Sequence, residues 1–218
     1  SFAGYENFTN LTPVASFAAG SANNITITGN GNTYAGDVVR VWIDYNRNGN
    51  FTDPGELAYQ SPQSAGPYNG VITFPVNATS GETRMRIRMY DAIFGNGTTG
   101  PCGNNTYGQV EDYTINITPC IPGVIGTQPA SLTSYCSGNA SFTVATTGTA
   151  LTYQWQERLN ATSPWIILSN GGLYAGVNTP TLTLTDLTTN YNGRQYQVAI
   201  GGPCTPIVLS SVATLTVG

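Results

Sequence analysis

Between Thr83 and Asp91 the chain alternates strictly: Arg84, Arg86 and Arg88 fall between Met85, Ile87 and Met89. A period of two puts the two sets on opposite faces of a β-strand. One face is expected to be core and the other basic. Val38–Asp44 repeats the rhythm, with Val39, Val41 and Ile43 on one side. Helical periodicity is nearly absent from the rest. Short alternating runs recur between clusters of Gly, Asn and Pro, the pattern of sandwiches and barrels. Further candidate strands in the first half are Val14–Ala18, Asn24–Thr28, Gly70–Val76 and Gln109–Ile117.

Thr118-Pro119-Cys120-Ile121-Pro122-Gly123 marks the expected boundary. Two prolines and a glycine end a strand and stiffen a short connector. The second half restarts the β rhythm at Ala140–Thr146, Leu151–Glu157, Trp165–Leu168, Thr181–Leu187, Arg194–Ile200 and Val208–Val217. About seven short strands in roughly 95 residues is the spacing of an immunoglobulin-like sandwich. Trp155 sits where such folds bury a tryptophan, and Tyr196 where a tyrosine corner would lie. The expected fold is all-β: two β-sandwich domains in tandem, residues 1–119 and 120–218, the second immunoglobulin-like.

Composition narrows the function. Hydrophobic residues reach 40% but charged residues only 8%, and all 7 basic residues are arginine. Low charge with abundant Thr, Asn and Gly fits a secreted protein. The net charge of -4 argues against nucleic-acid binding, which wants a basic face. No apolar run approaches the ~20 residues of a membrane helix. Ser1-Phe2-Ala3-Gly4 has no basic start or apolar run, so the expectation is a leader already removed or a piece of a longer chain.

There are 4 cysteines, Cys102, Cys120, Cys136 and Cys204, and no histidine. No CxxC pair exists, so disulfides fit better than zinc. Four cysteines allow three pairings. Val198 stands two after Tyr196, so the core disulfide of antibody domains is absent. Cys136 and Cys204 are expected to join at one end of the second sandwich, and Cys102 and Cys120 within or at the end of the first. On the chain-entropy model these loops stabilise by roughly 4 and roughly 3 kcal/mol.

Asp44-Tyr45-Asn46-Arg47-Asn48-Gly49-Asn50-Phe51-Thr52-Asp53-Pro54-Gly55-Glu56 carries oxygen-bearing side chains at alternate positions, a glycine at the sixth and carboxylates at the far end. Such spacing wraps a hard cation such as calcium. Asp44, Asn46 and Asn48 take positions one, three and five of an EF-hand loop, but Gly55 holds the twelfth and Glu56 follows one later. The loop also leaves a strand. It reads as a hairpin loop with a similar ligand layout: Asp44, Asn46 and Asn48 by side-chain oxygen, Asn50 by its carbonyl, and Asp53 or Glu56 closing. Asn and Gly are also ordinary turn residues, so a bare hairpin turn accounts for the same spacing.

Val41-Trp42-Ile43-Asp44-Tyr45-Asn46 through Gly55-Glu56, then Thr83–Arg88, Pro101-Cys102-Gly103 and Tyr107-Gly108-Gln109-Val110-Glu111-Asp112-Tyr113 follow in order. This set, over roughly residues 5–118, resembles the GEVED domain of secreted Bacteroidetes proteins. The family's closing motif reads Gly108-Gln109-Val110-Glu111-Asp112 here, with Gln109 replacing a carboxylate. Residues 124–217 are similar to the immunoglobulin-like modules that follow such domains. The resemblance implies export and attachment to the cell surface or to secreted hydrolases, without implying one activity. The family's usual C-terminal sorting segment is missing, the sequence closing on Val217-Gly218.

Glu111 and Asp112 are adjacent on a strand and face opposite ways, so they cannot serve one site as an acid/base pair. A structural clamp of Glu111 or Asp112 onto Arg86 and its neighbours is the better reading. Without histidine, Ser-His-Asp and Cys-His mechanisms are closed. Tyr5, Phe8, Tyr59, Tyr68, Trp165, Tyr174 and Tyr191 are candidates for a sugar-stacking platform. The reading is a non-enzymatic adhesin or building unit of an extracellular fibre, secreted or on a bacterial cell surface. Its expected partners are other copies of itself, other surface proteins, or glycans. Strand Val208–Val217 and the N-terminal segment are the expected pairing edges. The alternative is a carbohydrate-binding or spacer region of a secreted hydrolase.

Overall fold

A computed structural model describes residues 4–13, 15–29, 31–95, 99–104, 106–204 and 206–218. Val14, the start of one expected strand, lies outside the described residues. The chain is all-β and divides into two compact units, Ser1–Cys120 and Ile121–Gly218. The expectation places this division one residue earlier.

The first unit contains β1 (Gly4–Phe8), β2 (Ser16–Ala18), β3 (Ala22–Ile27), β4 (Asp37–Ile43), β5 (Leu57–Gln60), β6 (Tyr68–Thr73), β7 (Gly81–Asp91) and β8 (Gly108–Thr118). The larger sheet runs β1-β8-β7-β4-β5, with β2 also on β8. β4 and β8 flank β7 antiparallel, whereas β1 and β2 both lie parallel to β8. β3 and β6 form a second, two-stranded sheet. Val41, Ile43, Ile115 and Ile117 of the larger sheet pack with Ile72 and Phe74 in one core.

The alternating pattern puts core on one face of β7 and arginines on the other, and the arginine face is itself partly buried. Every residue of β4 but Arg40 is buried, and Arg88 of β7 is 1% exposed. Arg86 and Arg88 lie under the segment that precedes β8, and Arg84 is exposed. Arg88 donates to the carbonyls of Gly100 at 2.6 Å and Gly103 at 2.8 Å, and Arg86 to that of Pro101 at 3.0 Å. Backbone oxygens, unreadable as acceptors in the sequence, thus hold Arg86 and Arg88, while Arg88 Nε is buried without a partner.

The second unit contains β9 (Val124–Thr127), β10 (Leu132–Ser134), β11 (Ala140–Thr143), β12 (Ala145–Thr147), β13 (Thr152–Arg158), β14 (Ile166–Ile167), β15 (Tyr174–Ala175), β16 (Thr181–Leu184), β17 (Gln195–Gly201), β18 (Val208–Leu209) and β19 (Ala213–Val217). One sheet runs β10-β19-β17-β13-β14 with β18 also on β17, a second runs β11-β16-β15, and β12 pairs β9. Trp155 is fully buried in the core, its indole N–H donating to Thr179 O at 3.0 Å. Phe142 stacks on Tyr196 at 4.8 Å. Tyr196 does not form a tyrosine corner, because its buried hydroxyl donates to no backbone carbonyl.

Val208–Val217 is not one pairing edge. It breaks into β18 and β19, and β19 is covered on both sides by β10 and β17.

Candidate metal centre

β4 delivers Asp44 to the start of the loop, and the chain returns at Glu56. Ile43 N–H donates to Glu56 O at 2.9 Å, and Asp44 N–H to Arg84 O at 3.1 Å. The Thr83 hydroxyl donates to Asp44 O at 2.6 Å, fixing the loop's root to β7. Arg47 (φ 61°) and Gly49 (φ 87°) let the chain turn back at once. Phe51 is buried beneath the Arg86 guanidinium, 5.0 Å from ring centre to carbon.

A relay of side-chain oxygens holds this shape. Asp44 accepts from Asn48 N–H at 3.1 Å and Gly49 N–H at 2.9 Å. Asn46 accepts from Asn48 N–H, Asn48 from Asn50 N–H, and Asn50 from Thr52 N–H, at 3.0, 3.0 and 2.9 Å. The Nδ2 groups of Asn46 and Asn48 donate to one oxygen of Asp53 at 2.9 and 2.6 Å. Those two bonds hold the Asp53 carboxyl below its ordinary value.

Glu56 is the anomaly. It is 2% exposed; Oε2 accepts from Asp53 N–H at 3.3 Å, and Oε1 is buried with no hydrogen-bond partner. Burial pushes its carboxyl up, and the charges of Asp44 and Asp53 push it further. Glu56 thus feels the charges of Asp44 and Asp53 beside its own orphaned oxygen. Among the described residues no three acidic or thiol side chains stand close enough to hold a metal alone. Amides or carbonyls must complete the set. Asn46 and Asn48 aim nitrogen at Asp53 here, so a cation requires each amide to turn over and present oxygen.

Of the two carboxylates expected to clamp the arginine row, Asp112 does so. Arg86 and Asp112 pair on one face of the sheet, Nε to Oδ1 at 2.6 Å and Nη2 to Oδ2 at 2.7 Å. Tyr5 of β1 adds a hydroxyl bond to Asp112 at 3.0 Å. Its pairing is parallel and distant, so nothing local in the sequence signals it. Glu111 does not join the clamp. It lies on the other face, accepting from Gln109 Nε2 at 2.9 Å and the Tyr113 hydroxyl at 2.6 Å.

The expected cysteine pairings fail. Cys120 and Cys204 are disulfide-bonded, and Cys136 is an exposed thiol. The Cys102 loop is pinned by arginines, with Arg86 Nη1 3.7 Å from its sulfur.

No common sugar platform forms from the expected aromatics. Tyr68 is core, and Tyr174 turns inward to bond Glu157 at 2.5 Å. Phe8 stacks on Tyr113 at 5.2 Å, and Trp165 lies under Arg158. Exposed rings gather elsewhere: Tyr34, Phe94 and Tyr107 line a cleft of about 830 Å³ that also holds Asp37, Asp91 and Gln109. Their spread over two loops, the β3–β4 and β7–β8 connections, hides this grouping from the sequence.

Residues 38–116 match the family model described as the GEVED domain. That stretch contains the Asp44–Glu56 loop, Arg86 and Asp112. No curated protein matches the chain. Among solved structures, titin M4 is 18% identical, with 46% of this chain and 100% of that chain covered and a TM-score of 0.39. Sidekick-1 immunoglobulin domains 1–5 are 12% identical, over 96% of this chain and 39% of that one, at a TM-score of 0.45.

Proposed function

We propose that this chain is a non-enzymatic extracellular module for adhesion or structural assembly, its first unit made rigid by a calcium ion in the Asp44–Glu56 loop. It acts outside the cell, secreted or displayed on a bacterial surface, where a disulfide persists and calcium is plentiful. Asp44, Asp53 and Glu56 would supply charge, Asn46 and Asn48 their turned amides, and Asn50 its carbonyl. The orphaned, buried Oε1 of Glu56 is the observation that carries this reading. The ion would neutralise the clustered carboxylates and lock the hairpin. The neutral amides in the ligand set suit the weak affinity of extracellular modules, at ~0.1–1 mM.

Calorimetry of the full chain in chelator and in calcium tests it. Calcium at ~100 times its dissociation constant adds about 2.7 kcal/mol, a rise of a few degrees in Tm. Identical unfolding in both conditions, with a folded Glu56→Gln control, ends the calcium reading. Fibres visible by electron microscopy in millimolar calcium would support self-assembly; isolated two-lobed particles would remove it.

The cleft lined by Tyr34, Phe94 and Tyr107 favours a second reading, the carbohydrate-binding accessory module. The three rings are 60%, 72% and 45% exposed, open to the faces of a sugar. A glycan array probed with the chain and with Phe94→Ala decides it, since binding must appear and then fall in the variant.

A further inference from the structure

The two sheets of the first unit are unequal. Six strands face two, and among the described residues β3 pairs with β6 alone. Alternate N–H and C=O groups of β3 therefore point away from β6 with no strand to receive them. Along this edge runs an apolar groove of about 250 Å³. Ile25 and Ile27 of β3 form one wall, Met85, Ile87 and Tyr113 of the larger sheet the floor, and Phe17 of β2 the far side. Of these, Phe17, Ile25, Ile27, Ile87 and Tyr113 are only partly buried against the core beneath them. Apolar cavities of roughly 150 Å³ already accept a benzene-sized guest, so this space is large enough for side chains. No charged residue lines it.

We infer that the groove beside β3 receives an extended peptide strand from another polypeptide, added to the edge of the two-stranded sheet. The unpaired edge specifies the backbone: only an extended chain meets its donors and acceptors in register. The uncharged, apolar floor specifies the side chains: aliphatic at every second position, with no charge on the inward face. The length follows from β3, whose six residues span about 20 Å at ~3.3 Å each. The guest completes the smaller sheet as a third strand and covers the half-buried isoleucines. This inference stands on the geometry of the first unit and needs no cation.

The test uses the full chain, labelled for amide NMR, and the capped peptide Thr-Val-Thr-Val-Thr-Val-Thr. Binding is expected to shift the amides of residues 22–27 and slow their hydrogen exchange at least about tenfold. A peptide N-methylated at alternate residues keeps the side chains and loses donors, and it is expected to bind at least about tenfold more weakly. Absence of shifts up to about 1 mM peptide, shifts confined to other strands, or equal binding of the methylated peptide would each overturn the assignment. Shifts in residues 22–27 driven by protein concentration alone would seat a second copy there and overturn a separate peptide strand.

Discussion

Arg86 grips Asp112 through two parallel bonds of 2.6 and 2.7 Å, with Asp112 only 1% exposed. Paired guanidinium and carboxylate planes are the strongest hydrogen-bonded geometry available to side chains. Removing one partner strands the other charge in the interior. We expect Arg86→Ala to cost about 3–5 kcal/mol in denaturant unfolding. The double variant Arg86→Met, Asp112→Leu should cost less than the two single losses combined. Tyr5→Phe removes one bond and should cost about 1 kcal/mol. A small effect of Arg86→Ala would mean the pair is replaceable by solvent.

Gly108 opens β8 with φ 134°, and a Cβ there would stand 2.0 Å from the carbonyl oxygen of Met89. That neighbour is backbone and cannot swing aside. Gly108→Ala should therefore destabilise by about 3 kcal/mol or more. Gly49→Ala is the contrast: φ is 87°, but nothing lies within 4 Å, so only the cost of left-handed backbone remains, about 1 kcal/mol. Equal costs at the two sites would count against the tight β7–β8 approach.

Without a cation, Glu56 titrates above the ordinary 4.5, from burial first and then from Asp44 and Asp53. In the window above 4.5 the folded chain keeps a proton that the unfolded chain has lost. The unfolded state then binds fewer protons, so stability falls as pH rises through that window. Metal-free wild type should lose Tm relative to Glu56→Gln as pH rises above 4.5. Calcium should erase the difference in the wild type and leave Glu56→Gln unresponsive. Parallel curves for both chains in chelator would show that Glu56 is not strained.

Mass spectrometry after maleimide treatment should find an adduct at Cys136 on the native chain, and four adducts after reduction and unfolding. Unmodified native protein would restore the two-disulfide scheme that cysteine spacing suggests.

What could be read from the residues was local and periodic. The alternation in β4 and β7 appears in the sequence because each residue's side follows from its own position. β1 and β5 do not appear: β1 is polar and pairs with a strand about a hundred residues away, and β5 is a four-residue edge. The loop's oxygen spacing was legible, but not the direction in which Asn46 and Asn48 point their amides. The carbonyl acceptors of Arg86 and Arg88 were not legible, because every residue carries a carbonyl alike. The cysteine partners depend on tertiary placement, about which spacing is silent.

Each unit sets a strand from its beginning parallel to its last one: β1 and β2 along β8, and β10 along β19. In that geometry tension drawn from opposite ends of a unit slides the strands lengthwise. The ladder's hydrogen bonds then bear load together, whereas a hairpin pulled at its open end would lose them singly, like the teeth of a zip. The first unit is thus a mechanical fastener, its terminal ladder loaded in shear.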